Sequence, residues 1–311
     1  MMQGNRSGVI AILFAAVVWG TTGTAATFAP DVSAAAIGAA AMGLGGIAQA
    51  LWAGRGILQQ RARLWDQRRL LVIGALAVAV YPLAFYGAMR LAGVTVGTVI
   101  TIGSAPLLSA LIEYVLDGRR LTVRWSLGAV VGLIGMGLIC LAEGAAYDRG
   151  PDATSVPLGV LLGLIGGFTY ALYSWSARKM MLQGTRSSVA MGATFGLGGL
   201  MLMPVLLVSG DAFLASWSNA AVGLYMAAVP MFLGYISFGY GLARVEASTA
   251  TVITLFEPVV AAVLAVLIVA ERLPSLGWVG VALVIGCLAI ITFPLPARLR
   301  RGARAQPPGV V

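Results

Sequence analysis

The chain of 311 residues has no histidine, only two cysteines and few charged residues. Without histidine, acid–base catalysis by imidazole and histidine-ligated metal sites are excluded. Cys140 and Cys287 each lie inside an apolar run, where we expect them to behave as small apolar side chains rather than as a disulfide. We therefore expect no metal, no cofactor and no enzymatic activity.

Charged side chains make up 10% of the residues and hydrophobic ones 59%, whereas soluble domains carry about 25% charged residues. Such a chain has too little polar surface to cover a globule in water. A run of about 20 apolar residues is enough to cross the lipid, and such runs recur along the whole chain. We predict an all-α integral membrane protein with ten transmembrane helices, at 8–28, 32–53, 70–90, 94–116, 123–143, 156–176, 187–209, 219–242, 247–270 and 275–294.

The net charge of +9 would ordinarily suggest an anionic partner such as nucleic acid, but the placement of the basic residues explains it differently. If the N-terminus is cytoplasmic, only Arg90, Arg149 and Arg272 of the 20 lysines and arginines lie outside, as the positive-inside rule requires. We therefore expect a multi-pass protein of the bacterial inner membrane, with both termini in the cytoplasm and no nucleic-acid partner. A cleavable signal peptide at the first span is the alternative, which we disfavour because that span has a counterpart later in the chain.

Short motifs recur at a nearly constant offset of 152 to 154 residues. YGAMRL at 86–91 matches YGLARV at 240–245, GLGG at 43–46 recurs at 196–199, and Pro106 corresponds to Pro258. The repeat unit holds five spans, which is an odd number, so the second copy must cross the membrane in the opposite orientation, as in many transporters. The sequence thus predicts two inverted five-helix repeats, at 1–150 and 151–296, followed by a basic cytoplasmic tail at 297–311.

The most specific motifs are FYGAMRLAGVTVGTVITIGSAPLLSALIEYVLDGRRLT (85–122) and GYGLARVEASTATVITLFEPVVAAVLAVLIVAERLP (239–274). They resemble the paired signature of EamA-type transporters of the drug/metabolite transporter superfamily, and the resemblance extends over roughly 8–294. It is clearest in the second copy, at Glu257-Pro258 and Glu271-Arg272-Leu273; the first copy departs from the pattern with Ala105 and Arg119. The resemblance implies ten helices in two inverted halves and export of amino acids or related metabolites, with exporters of aromatic amino acids as the most similar members.

Glu257 lies near the middle of the ninth span, where an acidic residue costs about 2.5–3.5 kcal/mol on insertion scales. Such a carboxylate usually faces the protein interior or a water-filled cavity, where it could attract the ammonium group of an amino acid or carry a proton. Pro258 removes a backbone donor beside it, and broken helices at this depth often expose backbone groups to substrate. The alternative is structural: Glu257 fixes the kink, protonated or hydrogen-bonded to nearby threonines.

Polar and aromatic side chains on several spans could line a common substrate site. Trp19 corresponds to Tyr170 in the repeat, and Thr251, Thr254 and Glu257 recur every three residues on one helix face. Each threonine alone can equally well hydrogen-bond within its own helix. We predict substrate binding by Trp19, Tyr81, Tyr86, Thr98, Thr101, Tyr170, Phe238, Thr251, Thr254 and Glu257. The prolines within the third, fourth, eighth and ninth spans are predicted hinges, namely Pro82, Pro106, Pro230 and Pro258.

Two further motifs have structural interpretations. Glu113 lies near the end of the fourth span and is expected to pair with Arg119 or Arg120. The two GLGG motifs favour close packing of the second helix on the seventh. There is no GxxxxGK[ST] motif, so direct coupling to ATP is not encoded.

These features predict a secondary transporter that exports amino acids, aromatic or other neutral ones, and related small metabolites by alternating access. Its partners would be a small-molecule substrate and membrane lipid; the sequence leaves the oligomeric state open and is consistent with a monomer. Drug or nucleotide-sugar carriers of the same superfamily are the alternative, although phosphate-bearing substrates would require a basic residue at mid-membrane. From another class, a non-transporting membrane sensor or scaffold stays open, but the chain has no soluble domain that could report a signal.

Overall fold

The computed structural model describes residues 2–144, 155–269 and 274–292. Throughout these residues the secondary structure is helical, and ten helices are long and apolar enough to cross a membrane. We number them 1 to 10 in chain order. Helices 1 to 7 and 10 are continuous: Met2–Ala26, Ala34–Trp52, Arg68–Ala92, Val94–Asp117, Val123–Gly144, Val156–Leu182, Ser187–Ser209 and Ser275–Thr292. The predicted all-α membrane fold is therefore confirmed. Glu271, Arg272 and Leu273 lie outside the described residues, as does the tail at 297–311.

Helices 8 and 9 change helix type along their length. Helix 8 consists of Trp217–Met226, a π-helical segment Ala227–Gly234 and Tyr235–Leu242. Helix 9 consists of Ala247–Ile253, a 3₁₀ turn Thr254–Phe256, Glu257–Leu264 and a π-helical segment Ala265–Val269. Two short helices, Gly54–Gln59 and Arg61–Asp66, form the connection between helices 2 and 3, and a 3₁₀ turn, Asp211–Leu214, precedes helix 8.

Only two of the four predicted hinge prolines coincide with a change of helix type. Pro230 lies inside the π-helical segment of helix 8, and Pro258 follows the 3₁₀ turn of helix 9. Pro82 and Pro106 lie within helices 3 and 4, which are α-helical throughout. A proline removes one backbone hydrogen bond without necessarily changing the helix type around it. The irregular backbone is therefore concentrated in the second half of the chain.

The two halves are inverted relative to each other. A Cβ atom built on Gly8, at the start of helix 1, would meet Arg244 just beyond the end of helix 8. One built on Gly159, at the corresponding start of helix 6, would instead meet Ala92 at the end of helix 3. The end of helix 6, in contrast to its start, lies beside the end of helix 8: Arg178 donates a hydrogen bond of 2.6 Å to the carbonyl of Leu242. The two repeats therefore begin at opposite ends of the bundle.

Helix contacts follow the same symmetry. Helix 3 packs on helix 6 as helix 8 packs on helix 1, and helix 4 packs on helix 6 as helix 9 packs on helix 1. Helices 2 and 7 form one symmetric pair, and helices 5 and 10 form the other. Helices 1, 3, 4, 6, 8 and 9 thus meet around the centre of the bundle, where a transporter of inverted repeats places its substrate site.

The two GLGG motifs bring helices 2 and 7 into backbone contact. A Cβ atom on Gly46 would lie 2.2 Å from the carbonyl oxygen of Phe195, and one on Gly199 would lie 2.6 Å from that of Gly43. Only glycine allows such an approach, as at many helix interfaces within membranes. The predicted packing role of these motifs is confirmed.

Candidate functional site

The centre of the bundle holds a continuous group of aromatic side chains. Trp19 of helix 1 is 5% exposed, and its indole N–H donates to the carbonyl of Pro230 at 2.9 Å. Its ring centroid lies 4.7 Å from that of Tyr235, 5.3 Å from that of Phe238 and 6.5 Å from that of Tyr170. Rings at these separations stabilise one another beyond simple burial. The carbonyl of Pro230 lies in the π-helical segment, so Trp19 also ties helix 1 to the irregular part of helix 8.

Tyrosines of helices 3 and 6 extend this group. The ring of Tyr170 lies 5.7 Å from that of Tyr81 and 5.3 Å from that of Tyr173. The hydroxyls of Tyr173 and Tyr235 share a hydrogen bond of 2.9 Å, and Phe195 of helix 7 packs against both rings. We call the whole group the aromatic cluster, which consists of Trp19, Tyr81, Tyr170, Tyr173, Phe195, Tyr235 and Phe238.

Three members of the aromatic cluster are absent from the site predicted from sequence: Tyr173, Phe195 and Tyr235. Tyr173 follows Tyr170 by three residues, and Tyr235 precedes Phe238 by three, so helical spacing places each beside a predicted residue. That signal was available in the sequence. Phe195 is adjacent to the GLGG motif on helix 7, and only the tertiary structure shows that it reaches the centre.

Glu257 lies beside the aromatic cluster, at the first residue after the 3₁₀ turn of helix 9. It is half-buried, and it lies close enough to Tyr81, Tyr86, Tyr170 and Tyr235 to interact electrostatically with them. Within the part of the chain that the structure describes, its carboxylate has neither a hydrogen bond nor an ion pair. An ionisable group placed in this way at mid-membrane is by default a candidate functional residue.

The neighbouring threonines do not hold Glu257. The hydroxyl of Thr254 shares a hydrogen bond of 2.9 Å with that of Tyr170 and donates to the carbonyl of Thr251. The hydroxyl of Thr251 donates to the carbonyls of Ala247 and Ser248 in its own helix. The alternative in which threonines anchor Glu257 to fix the kink therefore has no support in these contacts.

The structure brings seven of the ten predicted binding residues together: Trp19, Tyr81, Tyr86, Tyr170, Phe238, Thr254 and Glu257. Tyr86 joins through Phe85, whose ring lies 5.2 Å from that of Tyr86 and 5.9 Å from that of Tyr81.

The remaining three, Thr98, Thr101 and Thr251, lie elsewhere. Thr101 is fully buried in the contact of helix 4 with helix 6, where a Cβ atom on Gly166 would lie 2.8 Å from its methyl group. Thr251 is buried within helix 9, and Thr98 lies partly exposed one turn before Thr101 on helix 4. A threonine stripe on a helix face indicates a polar face, but the small glycines of helix 6 decide that Thr101 faces a helix rather than a cavity.

Beyond this central region the helices are joined by polar contacts that we call the closed end: Asp117 with Trp175 and Lys179, Arg119 with Glu246, and Glu113 with the start of helix 9. Asp117 accepts a hydrogen bond of 2.8 Å from the indole of Trp175 and pairs with Lys179. Arg119 pairs with Glu246. These contacts link helix 4 to helix 6 and the turn after helix 4 to the start of helix 9.

Glu113 is also part of the closed end, and its predicted pairing with Arg119 or Arg120 is wrong. Its carboxylate accepts hydrogen bonds from the backbone N–H of Ala247 at 2.8 Å and from the hydroxyl of Ser248 at 2.5 Å. The first N–H groups of a helix have no partner within it and attract a negative charge. Since Glu246 provides no side-chain cap for helix 9, Glu113 of helix 4 caps it instead.

Helices 4 and 9 meet at the closed end and separate towards the opposite one. Helix 4 packs on the Ala247–Ile253 segment of helix 9, whereas the Glu257–Leu264 segment packs on helices 1 and 5. Glu257 lies where the two helices part. The candidate site is therefore the region around Glu257 where helices 4 and 9 part, with the aromatic cluster beside it and the closed end towards one end of the bundle. No group of three potential metal ligands occurs among the described side chains.

Comparisons with known proteins agree with this architecture. The model of the EamA-like transporter family matches residues 6–141 and again 157–293. The chain is 31% identical over 298 residues to the uncharacterized transporter YwfM of Bacillus subtilis (strain 168), covering 94% of this chain and 96% of that protein. It is 28% identical to a probable terminal-alkyne amino-acid exporter of Streptantibioticus cattleyicolor, covering 94% and 97% of the two chains.

A solved crystal structure with 19% sequence identity superposes with a TM-score of 0.75 and covers 96% of this chain and 99% of its own. At that identity the likeness concerns the fold. The family match covers both repeats and most of the chain. The protein belongs to the EamA-like transporter family and is a multi-pass membrane transporter of small molecules.

Proposed function

We propose that the protein exports neutral amino acids, including aromatic ones, and that the cleft beside Glu257 is the substrate site. The observation that carries this proposal is the carboxylate of Glu257, half-buried beside the aromatic cluster and without a hydrogen bond or ion pair to the described residues. A carboxylate that is partly removed from water and has no partner is costly. A substrate with a primary ammonium group would remove that cost by supplying a charge-assisted hydrogen bond.

The rest of an amino acid fits the same cleft. Its side chain would pack on Trp19, Tyr81 and Tyr170, since apolar and aromatic walls with few polar groups accept side chains of mixed size. Its carboxylate would accept a hydrogen bond from a hydroxyl such as that of Tyr86. The amino-acid exporter among the relatives supports this substrate class. Phosphate-bearing substrates are disfavoured, because the aromatic cluster and Glu257 include no arginine or lysine.

The placement of charge supports an orientation of the protein in the membrane. We propose that both termini and the closed end face the cytoplasm of a bacterium and that the protein lies in its inner membrane, since the basic residues concentrate there. The described conformation would then be closed towards the cytoplasm by the closed-end contacts. In export, breaking the closed-end contacts would admit substrate from the cytoplasm, and re-forming them would release it outside. We propose that the repeats 1–150 and 151–296 move relative to each other in this cycle, with 297–311 as a cytoplasmic tail.

The test is a transport assay with the purified protein in proteoliposomes. A panel of labelled amino acids, a nucleotide sugar and a cationic drug would be measured, each with and without a pH gradient. We expect transport of neutral amino acids above protein-free liposomes, and competition by aromatic ones. Transport of the drug or the nucleotide sugar alone would reject the amino-acid assignment.

A further inference from the structure

A cavity that lies outside the candidate substrate site is found at the closed end. Its volume is about 250 Å³. Its walls come from the turn between helices 4 and 5, the starts of helices 5 and 9, and the end of helix 10. The charged side chains that line it are Glu113, Arg119, Arg120, Arg124 and Glu246. Glu113, Arg119 and Glu246 also form closed-end contacts, but the transport cycle described above assigns no ligand to this cavity.

The two carboxylates that line the cavity already have partners, whereas one guanidinium and one indole N–H do not. Glu113 caps helix 9, and Glu246 pairs with Arg119. The guanidinium of Arg120 makes no hydrogen bond or ion pair to any residue that the structure describes. Trp125 is only 8% exposed, and its indole N–H is buried without an acceptor among those residues. Arg120 favours an anion, and an anion with hydrogen-bond acceptors could also satisfy the indole N–H if the Trp125 side chain turned towards the cavity.

The position of the cavity indicates the source of that anion. The arginines lie on a turn at the end of the bundle, and Trp125 and Ile291 form apolar walls where helices 5 and 10 enter the membrane. Leu121, Val123 and Leu127, beside the cavity, are exposed on the outer surface of the bundle. A basic pocket joined to an apolar surface at this depth is suited to a phospholipid, with its phosphate on the arginines and its acyl chains along the helices.

We propose that this cavity binds the phosphate headgroup of an anionic phospholipid through Arg119, Arg120 and the indole N–H of Trp125. The walls belong to both halves of the chain, since helices 4 and 5 come from the first and helices 9 and 10 from the second. Opening of the closed end would separate them and destroy the pocket. A ligand that binds only one conformation stabilises it, so the bound headgroup holds the closed end together.

The experiment measures lipid binding rather than transport, so its result does not depend on the substrate. The full-length protein in detergent is titrated with phosphatidylglycerol or phosphatidylcholine, and thermal unfolding and retained lipid are recorded, the latter by native mass spectrometry. The variants are R120Q, which removes a guanidinium, and W125F, which keeps the ring but removes the donor. Matched controls are R61Q and W65F, which change exposed residues on the short helix before helix 3.

We expect phosphatidylglycerol, but not phosphatidylcholine, to raise the unfolding temperature of the wild type and of both controls. R120Q should need about fivefold more lipid for the same effect, as expected for the loss of one arginine near an anionic surface, and W125F should also weaken binding. Equal responses of R120Q and R61Q would overturn the proposal, because they would indicate non-specific surface charge. If inorganic phosphate reproduces the stabilisation and displaces the lipid, the site binds free phosphate and the lipid assignment is wrong.

Discussion

The hydroxyl of Ser248 donates a 2.5 Å hydrogen bond to the carboxylate of Glu113, and this contact joins the two halves of the chain. The same carboxylate accepts the backbone N–H of Ala247, and Glu113 is only 3% exposed. A charged acceptor with two donors in a buried position is among the stronger hydrogen-bonding arrangements in proteins. The contact is therefore a major source of stability for the closed end.

We expect Glu113→Gln to destabilise the protein by about 1–3 kcal/mol, because the amide loses the charge and can accept at only one of its two terminal atoms. Glu246→Gln is the matched control. The ion pair of Glu246 with Arg119 has side chains 48% and 44% exposed, and exposed pairs contribute at most about 1 kcal/mol. Titration with a denaturing detergent measures the free energy of unfolding of both variants. An equal loss of stability in the two variants would show that the Glu113 cap on helix 9 contributes no more than an exposed ion pair.

The contact between helices 2 and 7 provides a second prediction. In Gly46→Ala, the new methyl group would meet the carbonyl of Phe195 at 2.2 Å, so the helices must move apart at a cost of about 1–3 kcal/mol. Gly137→Ala on helix 5 is the control, since a Cβ atom there would meet no neighbouring group within 4 Å. It should be neutral or slightly stabilising, because alanine favours helix more than glycine. Thermal unfolding in detergent compares them, and similar unfolding temperatures would contradict the close packing.

The helices were predictable because lipid imposes length and apolarity on every span. The predicted seventh span, 187–209, has the bounds of the observed helix Ser187–Ser209, and the fifth, predicted as 123–143, differs by one residue. Helix 6 continues to Leu182 instead of stopping at 176. Arg178 and Lys179 remain helical because Leu242 and Asp117 provide partners for their charges. Such partners, from distant parts of the chain, are invisible to a hydropathy pattern.

The proximity of residues in the candidate site was predictable where the repeat and helical spacing constrain it. Trp19 and Tyr170, which correspond in the two copies, do lie in one aromatic cluster. The role of Glu113 was not predictable, because its partner Ala247 is 134 residues away in sequence and the nearby arginines were the obvious candidates. The packing of Thr101 was not predictable for a similar reason: the glycines that cover it belong to helix 6. Sequence indicates which faces are polar, but packing decides what each face meets.

Substitution of Glu257 tests the centre of the proposed site. Glu257→Gln keeps the shape of the side chain and removes its charge, so the ammonium group loses a charge-assisted hydrogen bond of about 1.5–3 kcal/mol. We expect transport of neutral amino acids to fall about 10- to 100-fold, which is the same free energy expressed as a ratio. Proteoliposome uptake measures this.

Asp31→Asn is the control for Glu257→Gln, because it neutralises an exposed carboxylate in the connection between helices 1 and 2. It should transport as the wild type does. Unfolding in detergent must show that Glu257→Gln is still folded. Normal uptake by that variant would remove Glu257 from the mechanism.

Two substitutions of Trp19 distinguish its role as an aromatic wall of the site from its role as a hydrogen-bond donor. Trp19→Phe keeps a ring but loses the N–H bond to Pro230, so we expect reduced stability, by about 1 kcal/mol, with a similar substrate preference. Trp19→Ala removes the ring and enlarges the cleft, so aromatic amino acids should lose their advantage over small ones in competition assays. Trp217→Ala, at a residue that is 92% exposed, is the control. An unchanged competition profile in Trp19→Ala would exclude Trp19 from the pocket wall.

Accessibility along helices 4 and 9 tests the direction in which the cleft opens. Helix 4 packs on the first segment of helix 9, Ala247–Ile253, whereas the segment after the 3₁₀ turn packs mainly on helices 1 and 5. We therefore expect water to reach Thr98, near the start of helix 4. It should not reach Thr251, which lies in the packed segment and is 1% exposed. In a chain with Cys140 and Cys287 replaced by alanine, T98C and T251C would each be treated in intact cells with a membrane-impermeant thiol reagent. We expect rapid labelling of T98C and slow labelling of T251C, because Thr251 is buried between packed helices at the closed end and the reagent outside cannot reach it. Labelling of T251C from the outside, with T98C protected, would reverse the proposed orientation of the cleft.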